Sequence, residues 1–161
     1  GINTRIVRRS NALSNFSYGK DFKYDEAVMT GKGLKGRLNG IILSIPLMFL
    51  AAKPGSFFNK IFNIISPKPG QGPGKKEREN GYFSLRFFVF KKSGDKSIFK
   101  VTGDRDPGYG STSKMLAESA VCLAKDMLED KYGVITPSYA MSDNILNRLI
   151  SKAGLTFNKI K

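Results

Sequence analysis

Histidine and tryptophan are absent from the 161 residues, and there is a single cysteine, Cys122. Without histidine there is no His-based catalytic triad and no zinc site with imidazole ligands. One thiol permits no intrachain disulfide and no cysteine-only metal site, so no metal is expected. A disulfide-stapled secreted scaffold is excluded, and a reducing, cytoplasmic setting is expected, with membrane association as an added option. Carboxylates are also scarce: 13 Asp and Glu stand against 27 Lys and Arg, a net charge of +14. No apolar run reaches the roughly 20 residues that a spanning helix needs. The first ten residues contain no apolar leader segment, and Gly1 in place of Met reads as an internal cut.

Against those absences stands a composition that is 40% hydrophobic and 25% charged, which suits a globular chain and argues against intrinsic disorder. The length fits a single domain, residues 1–161. The positive excess is local. Residues 1–66 carry ten basic and three acidic side chains, residues 67–103 nine and three, and residues 104–161 eight and seven. Such a field attracts nucleic acid, anionic lipid, an anionic substrate or an acidic partner alike, and charge does not choose among them. A solvated basic face is the plain alternative.

Residues 5–9 read as a strand, and Phe16, Tyr18, Phe22 and Tyr24 keep the even spacing of a second extended stretch. The glycines of residues 31–40 read as permissive backbone leading into two apolar helices. The first, over residues 41–52, is interrupted by Pro46. The second carries Phe57, Phe58, Ile61, Phe62, Ile64 and Ile65 at helical spacing. Together, residues 41–65 suit protein packing, a dimer surface or an interfacial lipid contact. A Pro/Gly loop follows over residues 66–74, then a polar stretch over residues 75–80. Residues 82–90 and 97–102 form a hairpin through Lys92, Ser93, Gly94 and Asp95, with Phe83, Leu85, Phe87 and Val89 on one face. A strand buried on both sides explains the neighbouring Arg86, Phe88 and Phe90 more simply than base stacking does. A helix capped by Ser111, Thr112 or Ser113 runs to Gly133, with Leu116, Ala120, Leu123, Ala124 and Met127 as its buried stripe, widened by Met115, Val121, Cys122 and Leu128. Residues 142–153 form the last helix and residues 155–157 a strand. Strands and helices do not alternate strictly. The expected class is α+β, a mixed and largely antiparallel sheet with helices mainly on one face.

Two glycine motifs bear on chemistry. Gly31, Gly33 and Gly36 match G-x-G-x-x-G, yet no hydrophobic strand enters the motif and no acidic residue follows at the ribose distance, so it reads as a hinge. Residues 108–114 resemble a phosphate loop, but the glycine spacing is one short and the preceding strand ends too early. Asp104 and Asp106, separated by Arg105, read as turn carboxylates.

Residues 106–124, from Asp106-Pro107-Gly108-Tyr109-Gly110-Ser111 through Lys114 and Cys122 to Ala124, resemble the signature of the saccharopine dehydrogenase-like oxidoreductases. That group includes the mycobacterial trans-acting enoyl reductases. Val7-Arg8-Arg9-Ser10, the Pro67 to Pro73 stretch, Gly133 to Pro137, Ala140-Met141 and Ala153 to Phe157 extend the similarity in order. The resemblance implies a C-terminal substrate or dimerisation domain of an NAD(P)-dependent enzyme, inactive alone, whose N-terminal Rossmann domain is absent from this chain. It implies NAD(P) for the full enzyme and no cofactor for this chain by itself. A homodimer and a lipid-related substrate surface at residues 41–65 follow by analogy. Within that reading Arg8, Arg9 and Tyr18 are substrate-binding candidates, and Gly108, Gly110 and Ser111 are candidates for an anion-facing cofactor contact. Tyr109 and Lys114 are candidate proton donors to a carbonyl or enolate oxygen. The alternative class is a basic membrane- or nucleic-acid-binding module, with nucleic acid the least favoured partner.

Overall fold

The period-two apolar run after Tyr82 forms β1, Phe83–Phe90, in the computed structural model, which describes residues 3–50, 55–57, 60, 64 and 70–161. β1 pairs antiparallel with β2, Lys96–Gly103, setting Leu85 opposite Val101 and Phe87 opposite Phe99. The turn between them closes where Lys91 N–H donates to the Asp95 carbonyl at 2.9 Å, with Gly94 at φ 92°, a conformation glycine adopts without strain. β3, Leu155–Lys159, pairs antiparallel on the other side of β2, so the sheet order is β1-β2-β3. With five helices among the described residues, the architecture is the α+β class expected. Clustering of contacts divides the chain into two units, Gly1–Tyr24 with Pro73–Lys161, and Asp25–Gly72.

The first unit holds the sheet and four helices: α1 (Thr4–Leu13), α3 (Lys75–Asn80), α4 (Gly110–Lys125) and α5 (Pro137–Ser151). Its core lies where α4 meets α5. Cys122, Met141 and Ile145 are buried there, with Leu128, Ala140 and Leu149 packed against them. Ala153 and Leu155 carry the buried surface on into β3.

Several sequence expectations are corrected. Residues 5–9 belong to α1, a helix, because the inward positions recur at helical spacing: Val7 is half-buried and Ser10 and Asn11 are buried. The even aromatics after it line no strand. Asn15 and Phe16 adopt positive φ of 51° and 56°, and the chain turns back on Asn11, whose side chain accepts from Tyr18 N–H and donates to the Gly19 carbonyl. The expected two-sided burial of β1 is also wrong. It is an edge strand, and Leu85, Phe87, Phe88, Val89 and Phe90 are exposed.

The buried stripe assigned to α4 faces solvent: Leu116 is 71% exposed, Leu123 59% and Met127 97%. α4 stops at Lys125 rather than near Gly133, with Asp126 extended at ψ 152°. α5 begins earlier than expected, with Pro137 in its first turn, where a missing N–H costs nothing, and bends at Ser142 (φ 46°).

In the second unit the glycine-rich stretch is itself helical. α2 runs Gly33–Leu50 and continues through Pro46, so neither the hinge nor the proline break holds. Gly36 packs so closely on Gly31 that a Cβ would collide with the Gly31 carbonyl. The expected second apolar helix, apart from residues 57, 60 and 64, and residues 66–69 of the Pro/Gly loop fall outside the described residues.

Candidate functional site

The loop from Arg105 to Tyr109 carries the greatest density of polar contacts, and Asp106 organises it. One carboxylate oxygen, Oδ1, accepts from the amides of Gly108 and Tyr109, each at 3.0 Å, and Oδ2 accepts from Gly110 at 2.6 Å. Ser111 N–H donates to the Asp106 carbonyl at 2.8 Å. Burial pushes the carboxyl pKa up, but the amides of Gly110, Tyr109 and Gly108, with Arg78 nearby, outweigh it and hold the group below the ordinary carboxylate range. Asp106 therefore caps α4 from three residues before Tyr109.

The serines and threonine expected as caps lie inside the helix instead. Ser111 Oγ donates to the Arg105 carbonyl, Thr112 Oγ1 to Pro107 and Ser113 Oγ to Gly110. The amides at Gly108 and Gly110 already have their carboxylate, and Ser111 is fully buried. An external anion at these residues would have to displace Asp106.

Tyr109 and Lys114 occupy different settings. Tyr109 is exposed and lines an open cleft of about 360 Å³ with Lys75, Arg78, Glu79, Arg105, Gly110 and Ser113. Lys114 does not line it. Its ammonium pairs with Asp104 at 2.6 Å, which leaves the Asp104 and Asp106 carboxylates in the structural uses the sequence suggested.

Arg8, Arg9 and Tyr18 do not join that cleft either. Arg9 donates through Nε, at 3.0 Å, and Nη2 to the Val134 carbonyl, tying α1 to the segment before α5. Arg8 is exposed, and its side chain makes no hydrogen bond or ion pair among the described residues. Tyr18 packs edge-on against Phe22 with ring centres 5.3 Å apart.

Two clusters were not legible from spacing. Ser10 Oγ lies 2.8 Å from the buried Thr136 Oγ1 and accepts from the exposed Ser138 Oγ at 3.1 Å, a hydroxyl chain between α1 and the start of α5. At the other end of α5, Arg148 forks onto Asp126 through Nε (2.7 Å) and Nη2 (2.6 Å), and reaches Glu118 through Nη1 at 3.0 Å. The Arg148 fork drives the Asp126 carboxyl down to about 2 against the opposing effect of burial, with a contribution from the Cys122 thiol. Burial, then the hydrogen bond to Asp126 and its charge, push the Cys122 thiol up, so it is a structural and unreactive thiol. Among the described residues no group of His, Cys, Asp or Glu is arranged to hold a metal.

The Gly31 motif lines an open groove of about 640 Å³ with Thr30, Leu34, Arg37 and Gly40. No strand precedes it among the described residues of that unit.

Homologues of this chain are named trans-acting enoyl reductases. One from Mycobacterium tuberculosis is 34% identical over 157 residues, covering 91% of this chain and 36% of the relative. Those from Mycobacterium ulcerans and Mycobacterium leprae are 33% identical over 154 and 156 residues, covering 92% and 93% of this chain and 37% of each relative. The chain thus spans little more than a third of the length of the curated relatives it matches. No family model matches the chain, and no solved structure matches it.

Proposed function

We propose that residues 1–161 are the substrate-binding and dimerisation domain of an NAD(P)-dependent oxidoreductase of the saccharopine dehydrogenase-like group, close in kind to its trans-acting enoyl reductases. The observation that carries this reading is the match itself, which covers nine-tenths of this chain yet only 36% of the relative. The remaining length of such a protein is where a Rossmann domain would hold the nicotinamide. The apolar sheet face formed by Leu85, Phe87, Phe99 and Phe157 supports a docking role, since contiguous exposed apolar surface marks contact sites. Either the nucleotide domain or a second copy would cover it. Tyr109 is the exposed protic group nearest the basic cleft and fits a substrate-facing donor. Titration of NADPH into the isolated chain tests the division of labour. The nicotinamide half is expected to add nothing, so NADPH binds no more tightly than ADP, and micromolar affinity for NADPH that ADP does not share would overturn it.

A second reading is carried by α2, which presents Leu38, Ile41, Ile42, Leu43 and Ile45 to solvent beside Lys35 and Arg37. No helix among the described residues is long and apolar enough to cross a membrane. An apolar helix flanked by cations suits the lipid interface or an acyl substrate, with residues 41–65 as the contact. Flotation with anionic vesicles at low salt measures this directly, and a chain that stays at the bottom of the gradient removes the lipid reading.

A further inference from the structure

Arg78, from α3, and Arg105, from the loop after β2, line the same open cleft of about 360 Å³ beside Tyr109. Their meeting is fixed by backbone, because Asp106 N–H donates to the Arg78 carbonyl at 3.2 Å. Gly110 sits at that junction. A Cβ there would come within 2.8 Å of Arg105 Cβ and 2.9 Å of the Arg78 carbonyl, so the close approach depends on residue 110 having no side chain.

The cations of the cleft are incompletely neutralised. Arg105 has no side-chain hydrogen bond or ion pair among the described residues. Arg78 uses Nη1 on the Pro73 carbonyl at 2.9 Å and makes no other side-chain hydrogen bond or ion pair among the described residues. Lys75 approaches Glu79 only at 4.0 Å, in an exposed pair that contributes little. Asp106 lies close enough to Arg78 to feel its charge, but its two oxygens are already taken by three amides. The α4 amides are therefore closed to a ligand, and any anion here is held by side chains.

We propose that this cleft binds a phosphate group, as an ester or a diphosphate, whose oxygens bridge the guanidinium forks of Arg78 and Arg105. Planar guanidinium groups match phosphate oxygens in pairs, and two of them on separate elements favour a dianion over a single carboxylate. Tyr109 offers its ring to the body of the ligand. The site stands whether or not the chain serves a reductase.

Calorimetry on the full chain with inorganic pyrophosphate, ADP and glycerol 3-phosphate tests it. Saturable binding is expected, weakened about tenfold or more by Arg105→Gln and by Arg78→Gln. Lys159→Gln, on β3, leaves it unchanged. ADP binding tighter than pyrophosphate, with the gain removed by Tyr109→Ala, assigns the site to a nucleotide. Glycerol 3-phosphate equal to ADP assigns it to a small phosphate ester. Should Arg78→Gln fail to fold through loss of its bond to Pro73, the exposed Arg105→Gln variant still decides. Absence of saturation by all three probes overturns the proposal, as does equal weakening by Lys159→Gln, which would show diffuse attraction to net charge.

Discussion

The two sides of α4 are built from similar residues and end in opposite environments. On the side toward α5, Cys122 is fully buried against Met141 and Ile145. On the other, Leu116 and Leu123, two turns apart, stand in solvent, as does Met127 just past the end of the helix. Apolar side chains left on the outer side of a helix suit a contact that the unit carrying it does not supply. The sheet repeats the pattern, because β1 presents apolar side chains on both faces and neither is closed. One region of the first unit is thus complete within the chain. The other leaves apolar side chains in solvent, in a chain whose relatives are nearly three times as long.

Truncation on each side breaks or sharpens that contrast. Ile145→Ala removes a buried side chain at the α4–α5 junction and is expected to cost about 2–5 kcal/mol in a urea melt. Leu116→Ala, on the outer side, is expected to stay within about 0.5 kcal/mol in the chain alone. A large loss at Leu116 would show that the outer stripe is packed, and the comparison would collapse.

The hairpin and the last strand were legible in the sequence because their cue is local. Alternation from Phe83 to Val89, the Gly94 turn and the Leu155 run need no knowledge of what lies opposite. α4 and α5 were legible as helices for the same reason. Which side of α4 is dry was only partly legible, since Cys122 widens the expected stripe and is buried, while Leu116 and Leu123, better placed by spacing, stand in solvent. The partner that buries a stripe lies elsewhere, and spacing does not report it. Residues 5–9 failed differently: Ser10 and Asn11 face inward through hydrogen bonds, so polar side chains carried the helical period that apolar ones were expected to show.

The site was half legible. Gly108 to Ser111 was correctly found as a structured helix start. Asp106 was assigned only a turn role, although a carboxylate just before a helix is a capping signal. The pairing of Arg78 with Arg105 lay beyond any motif, because it depends on a main-chain bond between distant segments.

The Arg148 fork gives the smaller and more specific test of the closed region. The Asp126 carboxyl titrates at about 2 in the folded chain against an ordinary 3.8. A depressed carboxyl contributes stability that is fully present above its unfolded value and is lost as pH falls through the folded one. The chain should therefore hold a level melting temperature above 3.8 with respect to this group and lose stability from there down to about 2. Arg148→Met removes the cation, returns the Asp126 carboxyl toward its ordinary range and leaves two half-buried carboxylates, Asp126 and Glu118, without their fork. The variant is expected to melt lower than the parent at neutral pH, by less than Ile145→Ala does, and to fall less steeply on acidification, so that the two curves converge at low pH. Arg148→Lys should recover only part of the difference, since an ammonium does not reproduce a bidentate fork. Parallel curves at every pH would show that Arg148 acts through its packing alone and that Asp126 plays no part in closing α4 against α5.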